Sequence, residues 1–119
     1  MSRTTKLVAR FAGRDRIFCL RIGEIEQLET LCNAGVGAIY SRLATLQFRF
    51  ADIRETIRLG LIGGGMIESE AEYWVGSMID DKPLKSYIPL AIDILAALLE
   101  GFADAQKEAA AEDAGSKKA

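Results

Sequence analysis

The chain has 119 residues, half of them apolar, and a formal net charge of −2. That composition excludes a disordered polymer and suits one domain, which at this length buries roughly two-thirds of its unfolded surface without staples. With no histidine and only two cysteines, the chain has no Ser–His or Cys–His nucleophile pair, no imidazole-bound zinc and no disulfide framework.

Charge is unevenly spread. Residues 1–21 hold six bases and a single acid, whereas residues 63–119 hold eleven acids and five bases. Either the two ends meet each other, or copies meet head to tail, or the two faces are solvated independently. Residues 1–17 carry bases throughout and lack the apolar stretch of a signal peptide. The most apolar run, Ile88 to Leu99, is broken by Asp93 and is too short to span a bilayer. A soluble, cytoplasmic protein without a membrane partner is therefore expected.

The first elements read as strands. Lys6–Phe11 and Arg16–Arg21 are rich in β-branched and aromatic residues and flank Ala12-Gly13-Arg14-Asp15, a turn sequence, so they predict a β-hairpin. After Ile22-Gly23 the period becomes helical. Ile25, Leu28, Leu31 and Cys32 share a side, acids occupy the opening turns, and Asn33-Ala34-Gly35 suits a helix end. Cys19 and Cys32 then read as small buried hydrophobes. Val36–Leu46 predicts a second, shorter helix. Phe48-Arg49-Phe50 reads either as a third edge strand or as a link.

Ala51-Asp52 opens a third helix with Ile53, Ile57 and Leu61 inward, closed by Gly63-Gly64-Gly65. Ser69, with Glu72 three residues on, suggests a capping box for a fourth helix carrying Tyr73, Trp74, Val75, Met78 and Ile79. A fifth helix is expected to start near Ser86, with Asp81 as the rival start and Pro89 in its first turn. Its apolar stripe runs through Leu84, Tyr87, Ile88, Ala91, Leu95, Leu98, Leu99 and Phe102. Leu90, Ile92 and Ile94 fall outside that stripe and widen the apolar arc to about 200° at ~100° per residue. Such a helix is either central in its own domain or lends a flank to another chain. The last residues, 105–119, read as a low-complexity tail. The fold class expected is α+β, with a hairpin packed on about five helices in one domain over residues 1–104.

No catalytic, cofactor-binding or metal-ligating residue is assigned. The carboxylates Glu24, Glu26 and Glu29, and Glu68, Glu70 and Glu72, sit at or near helix starts, where the macrodipole accounts for them. Gly60-x-x-Gly63-Gly64-Gly65 lacks the Lys-Ser/Thr of a phosphate loop, and Gly35-x-Gly37 lacks a third glycine and a preceding strand. A nucleic-acid regulator would use Arg3, Arg10, Arg14 and Arg16 on phosphates and Phe11 and Phe18 for stacking. The negative net charge and the core-like placement of both rings weigh against it.

One resemblance covers roughly residues 6–102. Ile22-Gly23-Glu24-x-x-x-Leu28-Glu29, then Asp52-Ile53-x-x-x-Ile57-x-x-Gly60-Leu61-Ile62-Gly63-Gly64-Gly65, Glu70-Ala71 and a final Leu98-Leu99-Glu100-Gly101 follow in order. The pattern resembles the small tail-assembly protein of gene transfer agents and related siphophages. That family is often described as a tail tube protein but regarded as a tail assembly chaperone. The resemblance implies a non-catalytic protein that coats the long helical tape measure protein before tube protein polymerises around it. It implies the tape measure as partner, the tube protein as a further one, and self-association along the client. A tube subunit kept in the particle is the alternative. The wide arc of the fifth helix points to Leu90, Ile94, Ala97 and Leu98 as the partner surface, with Trp74 and Met78 beside them.

Overall fold

The computed structural model describes residues 3–103, and the tail expected over 105–119 lies outside them. Three strands precede five helices and a last short strand: β1 (Arg3–Thr4), β2 (Leu7–Phe11), β3 (Arg14–Phe18), α1 (Ile22–Cys32), α2 (Val36–Ala44), α3 (Phe50–Gly63), α4 (Glu68–Met78), α5 (Ile88–Glu100) and β4 (Phe102–Ala103). The fold is α+β, as the pattern of periods predicts.

β2 and β3 form an antiparallel hairpin with Leu7 opposite Phe18 and Phe11 opposite Arg14. The turn is shorter than expected. Ala12 and Gly13 alone make it, at φ 54° and 85°, the left-handed pair that matches the twist of two strands joined by two residues. Alternation sends Leu7, Phe11 and Phe18 into the core and leaves Arg10, Asp15 and Ile17 outside. Phe11 meets Phe18 and Tyr87 edge-on, so neither hairpin phenylalanine is free to stack on a base. A second antiparallel pair, absent from the sequence reading, brings the ends together: Arg3 lies opposite Ala103 and Thr4 opposite Phe102. Phe102, assigned to the last helical stripe, belongs to β4 because Gly101 at φ 75° turns the chain out of the helix.

α3 is the centre. It packs on α1, α4 and α5 and on β3, and Ile53, Thr56, Ile57, Leu59, Gly60 and Leu61 are all buried. Phe48-Arg49 is a link, and Phe50 already belongs to α3. Asp52 is fully buried near the start of α3. Its carboxylate accepts two hydrogen bonds from Arg42 of α2, at 2.6 and 2.9 Å, and one from the Arg49 backbone N–H at 2.8 Å. Arg42 and Arg49 both also donate to the Cys32 carbonyl at the end of α1. One charge thus ties the ends of three helices together.

The glycines after Leu59 do more than end a helix. A Cβ on Gly63 would lie 1.8 Å from the Cys19 carbonyl oxygen, and one on Gly64 would lie 2.0 Å from that of Ile17. The end of α3 therefore rests directly on the backbone of β3 and the residue after it, and the Cys19 N–H donates to the Gly60 carbonyl at 3.0 Å.

α5 shows where its wide apolar arc goes. The helix packs on α3, α2 and β2, and Ile88, Ala91, Ile94, Leu95 and Ala97 are buried. A 3₁₀ turn, Lys85–Tyr87, precedes it, so Ser86 lies in that turn and Pro89 occupies the first turn of α5. Similarly Ile67, not Ser69, stands at the N-cap of α4. Gly65 at φ 116° sets the chain direction two residues earlier, which leaves Ser69 exposed within the first turn.

Candidate functional site

The residues expected at a partner surface divide into two groups. Ile94 is 1% exposed and Ala97 is fully buried, which corrects their assignment to that surface. Three elements crowd round α5, so an arc of about 200° is what the interior needs. Leu90 and Leu98 are half-buried at the margins of that arc. The side of α5 open to solvent carries Pro89, Asp93 and Glu100, with Leu99 at its end. Partial desolvation pushes the Asp93 carboxyl above the usual aspartate range although the residue is exposed.

Trp74 and Met78 also stand half-buried, on α4, and here the apolar surface is more open. Only Ala71 and Val75 of α4 itself are fully buried, a stripe too narrow to cover the rest of the helix. Ile67, at 68%, and Tyr73, at 63%, are among the most exposed large apolar side chains of the described residues. Glu70 and Tyr73, three residues apart, are neighbours on the helix surface, and Ile67 stands just ahead of them at the N-cap. Tyr73 meets Trp74 edge-on with centroids 5.1 Å apart. The Arg16 guanidinium lies 5.2 Å from the Trp74 ring centre and donates to the Phe11 and Ala12 carbonyls. Between this side of α4 and β3 runs an open groove lined by Asp15, Arg16, Ile17, Leu61, Gly64, Met66 and Glu70.

α4 is held rigidly under that surface. Arg54 of α3 bonds Asp80 at 2.8 Å, Glu72 at 2.7 Å and Glu55 at 3.1 Å, and Arg58 bonds Glu55. The Asp80 and Glu72 carboxylates push the Arg54 guanidinium further up its scale, and Arg54 holds the Glu72 carboxyl below the usual range.

The other acidic runs are structural in the same way. Glu24 accepts from the Arg21 guanidinium and backbone N–H, and these bonds hold its carboxyl low. Glu29 accepts from the Val36 N–H and so caps α2. Among the described residues no group of three or more His, Cys, Asp or Glu is placed to hold a metal ion. Cys19 and Cys32 are free and buried, and burial pushes the Cys32 thiol up to about 12, which leaves it a poor nucleophile at neutral pH.

A family model described as phage tail tube protein, GTA-gp10, matches residues 4–101. The chain belongs to that family. The matched span takes in the hairpin and all five helices of this GTA-gp10 member, and with them the glycine platform and the open side of α4. No curated protein and no solved structure matches the chain. Membership makes it a phage tail-related protein. No helix among the described residues is long and apolar enough to cross a membrane.

The sequence reading missed the Arg42–Asp52 pair, the Arg54 cluster and the cap by Glu29. Asp52 carried a signal, since an acid three residues into a helix so often closes back on the preceding backbone. Arg42 and Arg54 carried none, because their partners come from other elements.

Proposed function

We infer that the protein acts in the bacterial cytoplasm as a tail assembly chaperone that covers the tape measure protein until tube subunits displace it. The observation that carries this reading is the helical make-up of a tail-family chain. Among the described residues, beyond the five-residue strands of the hairpin there is only the two-residue β1–β4 pair. A subunit stacked into a tube wall is expected to be rich in strands. A chaperone needs instead a folded body with modest apolar surface to offer a helical client. Trp74 and Met78 on α4, with Leu90 and Leu98 at the margins of α5, are the side chains that would make that contact.

The family's own description favours a second reading, a tube subunit retained in the particle. Mass spectrometry of purified particles separates the two. Absence from the particle, together with co-purification with the tape measure from assembling cells, supports the chaperone. Abundance in the particle supports the tube.

A further inference from the structure

We propose that the side of α4 bearing Ile67, Glu70 and Tyr73 receives the hairpin turn of a second copy of this chain, through Arg14 and Arg10. The inference goes beyond the chaperone reading and stands whether or not a tape measure is the client.

The asymmetry of charge along the sequence is the starting point. The two ends meet in the fold through the β1–β4 backbone pair, yet among the described residues no ion pair joins the hairpin to α4. Lys6 and Arg14 are exposed and enter no side-chain hydrogen bond or ion pair among the described residues, and the same is true of Glu70. Arg10 has only the exposed Asp15, at 3.8 Å, and the Gly13 carbonyl. Opposite charges are thus left unspent on two surfaces of one molecule.

The tip of the turn is open: Gly13 and Arg14 are exposed, and a Cβ on Gly13 would meet nothing within 4 Å. Two arginines flank a small Ala12-Gly13 tip. The α4 side offers one carboxylate between two exposed apolar residues, Ile67 and Tyr73. A guanidinium that pairs with Glu70 lies naturally across the Tyr73 ring. The molecule already makes this contact once, where Arg16 covers Trp74. The turn and the α4 side are different surfaces, so the contact is heterologous and each copy can carry another. Such a contact is small and weak alone, and copies set along a rod gain from repetition.

Sedimentation velocity and light scattering on the full chain, at low and high salt, test this. The expected result is concentration-dependent association at low salt that fades as salt screens the charges. Arg14→Glu and Glu70→Arg should each weaken association about tenfold while circular dichroism stays unchanged, because both sites are exposed. An equimolar mixture of Arg14→Ala and Glu70→Ala chains should instead form pairs and go no further, since each retains one half of the contact and neither carries a reversed charge for the other to meet. A wild-type chain that is monomeric at millimolar concentration and low salt overturns the proposal. So does association that neither variant weakens, or a mixture that behaves as the sum of its parts.

Discussion

Gly63→Ala is the sharpest probe of how this fold is built. Gly63 is the last residue of α3 and lies outside the left-handed region, so alanine can adopt its backbone and only the contact opposes it. The added methyl would lie 1.8 Å from the Cys19 carbonyl oxygen, 2.8 Å from its carbon and 3.1 Å from a Glu24 carboxylate oxygen. A carbon and a carbonyl oxygen come no closer than about 3.3 Å. The strand and the helix must therefore separate by about 1.5 Å, which also breaks the 3.0 Å bond from the Cys19 N–H to the Gly60 carbonyl. Overpacking of this kind costs about 1–3 kcal/mol, and the lost bond about 1 kcal/mol more. At roughly 4 °C per kcal/mol, melting should fall by about 10–15 °C in a thermal scan followed by circular dichroism. Gly37→Ala is the control, because a Cβ there, in the first turn of α2, meets nothing within 4 Å. It should leave stability unchanged or raise it by up to about 1 kcal/mol. A Gly63→Ala protein that melts within about 2 °C of wild type would refute the close-approach reasoning.

Four further variants test polar groups. Thr56 is fully buried and its hydroxyl is the one buried side-chain atom without a partner among the described residues, so Thr56→Val should stabilise by about 1 kcal/mol in urea unfolding. Arg42→Ala leaves the Asp52 carboxylate buried without its guanidinium and should cost about 3 kcal/mol in the same assay. The two perturbed acids should act in opposite directions on melting temperature against pH. Glu24 titrates lower in the folded chain, so its stabilisation is present above about pH 4.3 and is lost as pH falls through the folded value; Glu24→Gln should lower the melting temperature at pH 7 and flatten the acid limb. Asp93 titrates higher when folded, so its contribution is present in acid and lost as pH rises through the folded value; Asp93→Asn should raise the melting temperature at pH 7 and change little at pH 3.

Much of the fold was legible because it is local. The switch from period two to a helical period at Ile22-Gly23 marks the start of α1 directly, and Asn33, left-handed at φ 54°, ends it where the sequence suggests. Boundaries set by tertiary contact were not legible. Ser69 looks like a cap, but Gly65 and the Arg54–Glu72 bond fix where α4 begins and how it lies. Ser86 looks like a cap too, and the 3₁₀ turn ahead of Pro89 displaces it. Gly63 and Gly64 read as helix-stop residues, since nothing in a linear pattern says that another strand's carbonyls will press on them.

The partner surface illustrates the same limit more deeply. A helical wheel measures how much of a helix is apolar, not how many neighbours will claim it. α5 is apolar over about 200° because α2, α3 and β2 all rest on it, so the excess that suggested Ile94 and Ala97 is spent internally. α4 is the less apolar helix, yet it buries only the Ala71–Val75 stripe and leaves Ile67 and Tyr73 open. Surface available to a partner is the difference between apolar area and the area that neighbours cover. In this chain that difference is larger on a modest helix at the periphery than on the greasiest helix at the centre. Interface variants therefore belong on α4, where a changed side chain leaves the core intact and a loss of binding reports on binding alone.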